Sequence, residues 1–247
     1  MVEARGPYEI SHLYTPIPYE FRIINEKTVL MTFNSFREPK TFKTFLKGMF
    51  FEIKENNIKN LIIDLRYNGG GDASIGNMLL EYLTDEPFRQ FSRYDIKISK
   101  QYIEQIGSWL DWLGGGGTGD ITSHEVDFIK PTENPLRFNG NIYVLTSGRT
   151  YSSASAFAVT IKDFSIGKII GEETGWPPTA YGDHILFTLP NSKINAECSC
   201  KYFIRPSGED TYRGVIPDYI VEPQPEDLIT GKDRVMEFTL KLIEEKK

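Results

Sequence analysis

The chain has 247 residues, 40% of them hydrophobic and 25% charged, with a net charge of −6. That composition gives a sizeable core and excludes a disordered chain. The acidic balance argues against nucleic acid or an anionic membrane surface as the main partner, and no run of about 18 apolar residues marks a membrane span. The start, MVEARGPYEISHLY, lacks a basic region followed by an apolar one, so no secretory signal is expected there.

Residues 1–20 read as an irregular arm, with Pro7, Pro16 and Pro18 among tyrosines. Strands are expected at Tyr19 to Ile24 and Thr28 to Phe33, separated by the turn Asn25-Glu26-Lys27. Phe42, Phe45, Leu46, Met49, Phe50 and Ile53 recur at helical spacing over Pro39 to Asn57 and predict a crossover helix. The apolar run Leu61-Ile62-Ile63 then predicts a buried strand, which ends in Asn68 and three glycines before a helix over Ala73 to Leu83. Strand, helix, strand and helix at this spacing predict right-handed crossovers and a largely parallel sheet.

Residues 87–134 read as an insertion, either a lid or a plain surface loop. A strand at Tyr94 to Ser99 and an amphipathic run at Gln101 to Trp112 precede Gly114 to Gly117, and His124 is given no role. The regular pattern resumes with the strand Ile142 to Leu145, a turn at Gly148 and a helix over Ser153 to Lys162. A strand at Ile166 to Ile170, a loop over Gly171 to Gly182 and strands at His184 to Leu189 and Ile194 to Ile204 follow, the last two joined by a turn at Asn191-Ser192. A helix over Asp233 to Glu245 closes the chain. Cys198 and Cys200 share one strand face and read as free thiols, with no further ligands nearby for a metal.

Two turns carry chemistry. A serine between a strand and a helix has its hydroxyl lifted from the sheet, beside N–H groups that the first helical turn leaves unpaired, a setting for a nucleophile whose attack creates an oxyanion. The plainer reading of Ser152, Ser153 and Ser155 is capping and small-residue packing. The second turn, Gly69 to Gly71, lets backbone approach a ligand with no side chain in the way. Asp64, Arg66 and Asn68 read as a network bracing it.

IIDLRYNGGG, SGRTYSSASAFA, GKIIGEETG, KYFIRPSG and GVIPDYIV, in that order, resemble the serine peptidases that include C-terminal processing proteases, the tricorn core and the repeats of interphotoreceptor retinoid-binding protein. The likeness runs from about Val29 to Val221. It implies an α/β core of the crotonase or ClpP type over residues 21–247, with a twisted, mostly parallel sheet and crossover helices. It also implies that the chain is the core of a longer, often exported protein, acting on peptide or protein substrates without a metal or organic cofactor.

Carried onto this sequence, the nucleophile is Ser153, with Ser155 as the runner-up, and the oxyanion donors are the N–H groups of Ala154 and Gly70. The family's usual base is missing. The lysine of the processing branch has no counterpart from Glu173 to His184, and the histidine of the tricorn branch falls where this chain has Leu30-Met31-Thr32-Phe33. His184, Glu209, Glu173 and its neighbour Glu172 stay open as the base or its orienter. So do two rival functions: a non-catalytic peptide or hydrophobic-ligand binder on the same scaffold, and an acyl transferase acting on a thioester.

Overall fold

The computed structural model describes residues 17–106, 117–209 and 212–245. The N-terminal arm, the second half of the run expected at Gln101 to Trp112, and most of the four-glycine stretch lie outside these residues.

The main sheet has six strands: β1 (Tyr19–Asn25), β2 (Thr28–Phe33), β3 (Asn60–Asp64), β6 (Asn141–Thr146), β7 (Lys168–Gly171) and β10 (Tyr219–Ile220). They lie in that order, and only the β1–β2 pair is antiparallel. Alternation sorts the side chains into two layers. Val29, Met31, Phe33, Leu61, Ile63, Ile142 and Val144 face one core, whereas Leu30, Ile62, Tyr143 and Leu145 face the other. The first core holds the apolar stripes of α1 (Pro39–Glu55), α2 (Ala73–Leu83) and α4 (Ser153–Asp163). The second is closed by α6 (Arg234–Glu245) through Val235 and Ile243. Pro39 opens α1, where its fixed φ suits the first turn, and the Asp72 carboxylate caps α2 by accepting the Ser74 N–H at 2.9 Å.

A second sheet was not expected. Its four antiparallel strands lie in the order β5 (Ile121–Glu125), β4 (Arg93–Lys97), β9 (Asn195–Ile204) and β8 (Ala180–Thr188), with α3 (Lys100–Ile106) against β8. Part of the segment read as an insertion therefore supplies two strands, of which β4 pairs with β9 of the late hairpin and β5 pairs with β4. β5 was missed because its burial alternates around polar residues, Thr122 and His124, rather than apolar ones. β8 begins at Ala180, four residues earlier than its apolar run predicts, because pairing of Ala180 with Phe203 extends the ladder through glycine and polar residues. A short helix, α5 (Pro225–Thr230), was also unforeseen, and Gln224 and Asp227 form its capping box.

Candidate active site

β3 and β6 are neighbouring parallel strands, so the turns that follow them emerge at the same sheet edge. They are laced together by hydrogen bonds from the serine turn to carbonyls of the glycine turn. Tyr151 N–H donates to the Asn68 carbonyl at 2.9 Å, the Thr150 hydroxyl to the Leu65 carbonyl at 2.9 Å, and the Ser147 hydroxyl to the Arg66 carbonyl at 2.5 Å. Gly70, at φ 95°, lies directly under the serine turn: a Cβ there would come within 2.7 Å of Ser152 Cβ and 2.9 Å of Ser153 N. No side chain fits at that crossing.

The serine turn is strained where it enters the helix. Ser152 has φ 51° and ψ −126°, a region that costs a non-glycine residue about 1–3 kcal/mol. Ser153 follows at the first helical position, is only 7% exposed, and donates its hydroxyl to the Gly71 carbonyl at 2.6 Å. Ser155 faces inward instead, with its hydroxyl on the Thr150 carbonyl at 2.9 Å, so it serves the turn. The two N–H groups read as oxyanion donors flank Ser153 but are occupied: Gly70 N–H donates to Asn68 Oδ1 at 2.8 Å, and Ala154 N–H to the Tyr151 carbonyl at 3.1 Å.

The bracing network divides into two parts. Asn68 holds the glycine turn, its Nδ2 on the Phe33 carbonyl at 2.7 Å. Arg66 instead joins that turn to the start of α6, pairing with Asp64 at 2.7 Å and Asp233 at 2.7 Å. Burial works to raise the Asp233 carboxyl, but the hydrogen bonds from Arg66 and the Met236 N–H outweigh it and hold the group below its ordinary range. The stabilisation is therefore complete above the ordinary carboxylate pKa and is lost as pH falls through the lowered folded value. We expect Arg66→Met to cost about 3 kcal/mol at pH 7, because Asp64 is left half-enclosed without its cation. Urea unfolding should show the gap to wild type narrowing below about pH 4.

Ser153 opens into a cavity of about 300 Å³ lined also by Gly71, Phe91, Trp176, Asp183, Lys201 and Phe203. An adjoining cleft of about 540 Å³ brings in Tyr151, Tyr181, His184, Glu197 and Ser199. Thus the structure places Ser153, Gly70 and Ala154 together, and puts His184 in the wall of the adjoining cleft, which Ser152 also lines. Glu173 and Glu209 line neither space. Glu173 pairs with Arg213, which lowers its carboxyl below the ordinary range against the effect of burial, and it also accepts the Gly214 N–H at 2.8 Å. Glu209 is 68% exposed, 3.8 Å from Arg205.

Sequence reasoning missed Trp176, Asp183 and Lys201. The signal was present in the hairpin: a turn centred on Asn191-Ser192 sets His184 opposite Ser199 and Gly182 opposite Lys201, as observed. Among the described residues, no group of three or more His, Cys, Asp or Glu could hold a metal ion, and no helix is long and apolar enough to cross a membrane.

Parallel strands that deliver a strained serine turn and a glycine turn to one sheet edge place the chain in the mixed α/β class. The specific class follows from comparison: residues 27–221 match the model of peptidase family S41, and the chain belongs to that family. It is similar to tricorn protease of Thermoplasma acidophilum, 24% identical over 200 residues that make up 78% of this chain and 15% of that protein. Among solved structures it resembles the photosystem II D1 C-terminal processing protease, with TM-score 0.57, 19% identity, and coverage of 90% of this chain and 54% of that one. Mature CPAF complexed with lactacystin gives TM-score 0.65 and 18% identity, over 87% of this chain and 50% of that one. These likenesses show a shared fold, and this chain spans about half or less of each relative.

Proposed function

We propose that the chain is a serine endopeptidase that cleaves peptide bonds through an acyl-enzyme on Ser153. The observation that carries this reading is the position of Ser153: at a strained helix start, over the glycine turn, and open to a cavity. In this mechanism the Ser153 hydroxyl leaves the Gly71 carbonyl, and His184 takes its proton as Oγ attacks the scissile carbonyl. The Gly70 and Ala154 N–H groups then turn from Asn68 Oδ1 and the Tyr151 carbonyl to the oxyanion, each worth about 3 kcal/mol. The protonated imidazole returns its proton to the leaving amine, and water releases the acyl group by the reverse sequence.

Glu173 enters this scheme as an anchor for the 213–214 loop. The helices on both faces of the main sheet support a crotonase or ClpP type of core as the finer fold description. A peptide or protein is the natural substrate of such an open cleft.

The test is labelling by a fluorophosphonate probe, mapped by mass spectrometry. We expect modification at Ser153, and no labelling of the folded protein from neutral to alkaline pH would overturn the reading. His184→Ala should slow labelling by about 10²-fold or more. An unchanged rate would remove the histidine from the mechanism.

A further inference from the structure

Among the described residues, the cavity that holds Ser153 has one cationic side chain in its wall, Lys201. It comes from the middle of β9, on the face that also carries Ser199 and Glu197, and only a quarter of its side chain is exposed. Its Nζ lies 2.7 Å from Asp183 Oδ2, 5.2 Å from the Tyr94 ring centre and 6.0 Å from that of Phe203.

Asp183 is held there at a conformational cost. It lies within β8 at φ 46°, a left-handed backbone that an aspartate rarely adopts inside a strand, and it drops out of the pairing register between Gly182 and His184. Burial disfavours the charge on Lys201, but the hydrogen bond it donates to Asp183 outweighs that and keeps the ammonium charged.

An ammonium has three N–H donors, and Asp183 accepts one. The aromatic rings hold the cation without using a hydrogen bond. The two carboxylates in this wall are already engaged, Asp183 by Lys201 and Asp72 by the Ser74 N–H. The remaining ammonium donors are therefore available to a bound ligand beside the serine hydroxyl.

We propose that Lys201, clamped by Asp183, is a specificity-determining residue of the Ser153 cavity and binds a carboxylate of the bound peptide. This rests on the peptidase reading above only in taking the ligand to be a peptide. A peptide offers a carboxylate from an Asp or Glu side chain near the scissile bond or from its own C-terminus.

The test measures binding, so it does not depend on turnover. The Ser153→Ala protein, alone and combined with Lys201→Met, Lys201→Arg or Asp183→Asn, is used to capture a library of N-acetylated hexapeptides. One half of the library has amidated C-termini and the other free ones. We expect the parent to enrich peptides carrying a carboxylate. Lys201→Met should lose that enrichment by at least about tenfold, as expected when one partner of an enclosed charge pair is removed.

Lys201→Arg should retain part of the enrichment, and Asp183→Asn should increase it by removing the negative charge that competes for the ammonium. Enrichment of Asp or Glu in the amidated half identifies a side chain, and enrichment confined to the free half identifies the C-terminus. Either result supports the proposal. Equal enrichment with lysine and methionine, or none in the parent, overturns it. Fluorophosphonate labelling of the wild type separately judges the peptidase reading, so the two can fail independently.

Discussion

Replacing Ser153 by alanine should abolish peptide hydrolysis while leaving the fold intact. The hydroxyl makes one hydrogen bond, to the Gly71 carbonyl, and the methyl group of alanine fits the same space at the first position of α4. Losing that bond should cost about 1 kcal/mol of stability or less. Removal of a nucleophile, by contrast, lowers kcat by about 10⁶-fold in a serine hydrolase, and the residual rate comes from oxyanion stabilisation and binding. Hydrolysis of a fluorogenic peptide pool, followed beside urea unfolding of the same preparation, separates the two effects. Retained hydrolysis in the alanine variant would move the nucleophile elsewhere.

Gly70→Ala should be nearly as damaging, by a different route. The glycine has φ 95°, and an added Cβ would meet Ser152 Cβ at 2.7 Å, the Tyr151 carbonyl oxygen at 2.8 Å and Ser153 N at 2.9 Å. Two of these three contacts are backbone, so the serine turn itself would have to move. A shift of about 1 Å in a reacting group costs roughly 10²-fold in rate. Stability should also fall by about 1–3 kcal/mol from the left-handed backbone and the overlap. Gly69 provides the contrast, because nothing lies within 4 Å of a Cβ there and its φ is not in the left-handed region. Gly69→Ala should retain most fluorophosphonate labelling. If the two variants behaved alike, the close approach of Gly70 would have no bearing on the site.

These two expectations differ in how much of their basis was visible in the sequence. The serine turn and the glycine run could be found because each sits in a short stretch whose meaning is local: an apolar strand, a turn that requires glycine or small residues, and a helix start. The choice of Ser153 among its serines came from the family resemblance. The continuous apolar run Leu61-Ile62-Ile63 likewise marked a buried strand, and all three residues are fully buried in the folded chain. Which glycine would lie beneath the serine was a choice among three.

Glu173 looked like a candidate base from its place in the family's loop, yet its partner is Arg213, forty residues further on in sequence and adjacent only after folding. His184 lines the cleft adjoining the Ser153 cavity because β8 forms part of that cleft's wall. Lys201 was passed over because no local pattern distinguishes it from any lysine in a strand.

The sequence by itself determined the main parallel sheet and the two turns at its edge, because strand periodicity and glycine backbone freedom act over a few residues, and its resemblance to the peptidase family pointed to Ser153 as the candidate nucleophile. The tertiary structure decided what surrounds that nucleophile. Pairing of β4, itself joined to β5, with the late hairpin, across about a hundred residues of chain, builds the second sheet that walls the cavity. Long-range strand pairing is fixed by the sum of many weak cross-strand contacts rather than by any one residue. For that reason the aromatic walls, the strained Asp183 and the ammonium of Lys201 became visible only in the folded chain.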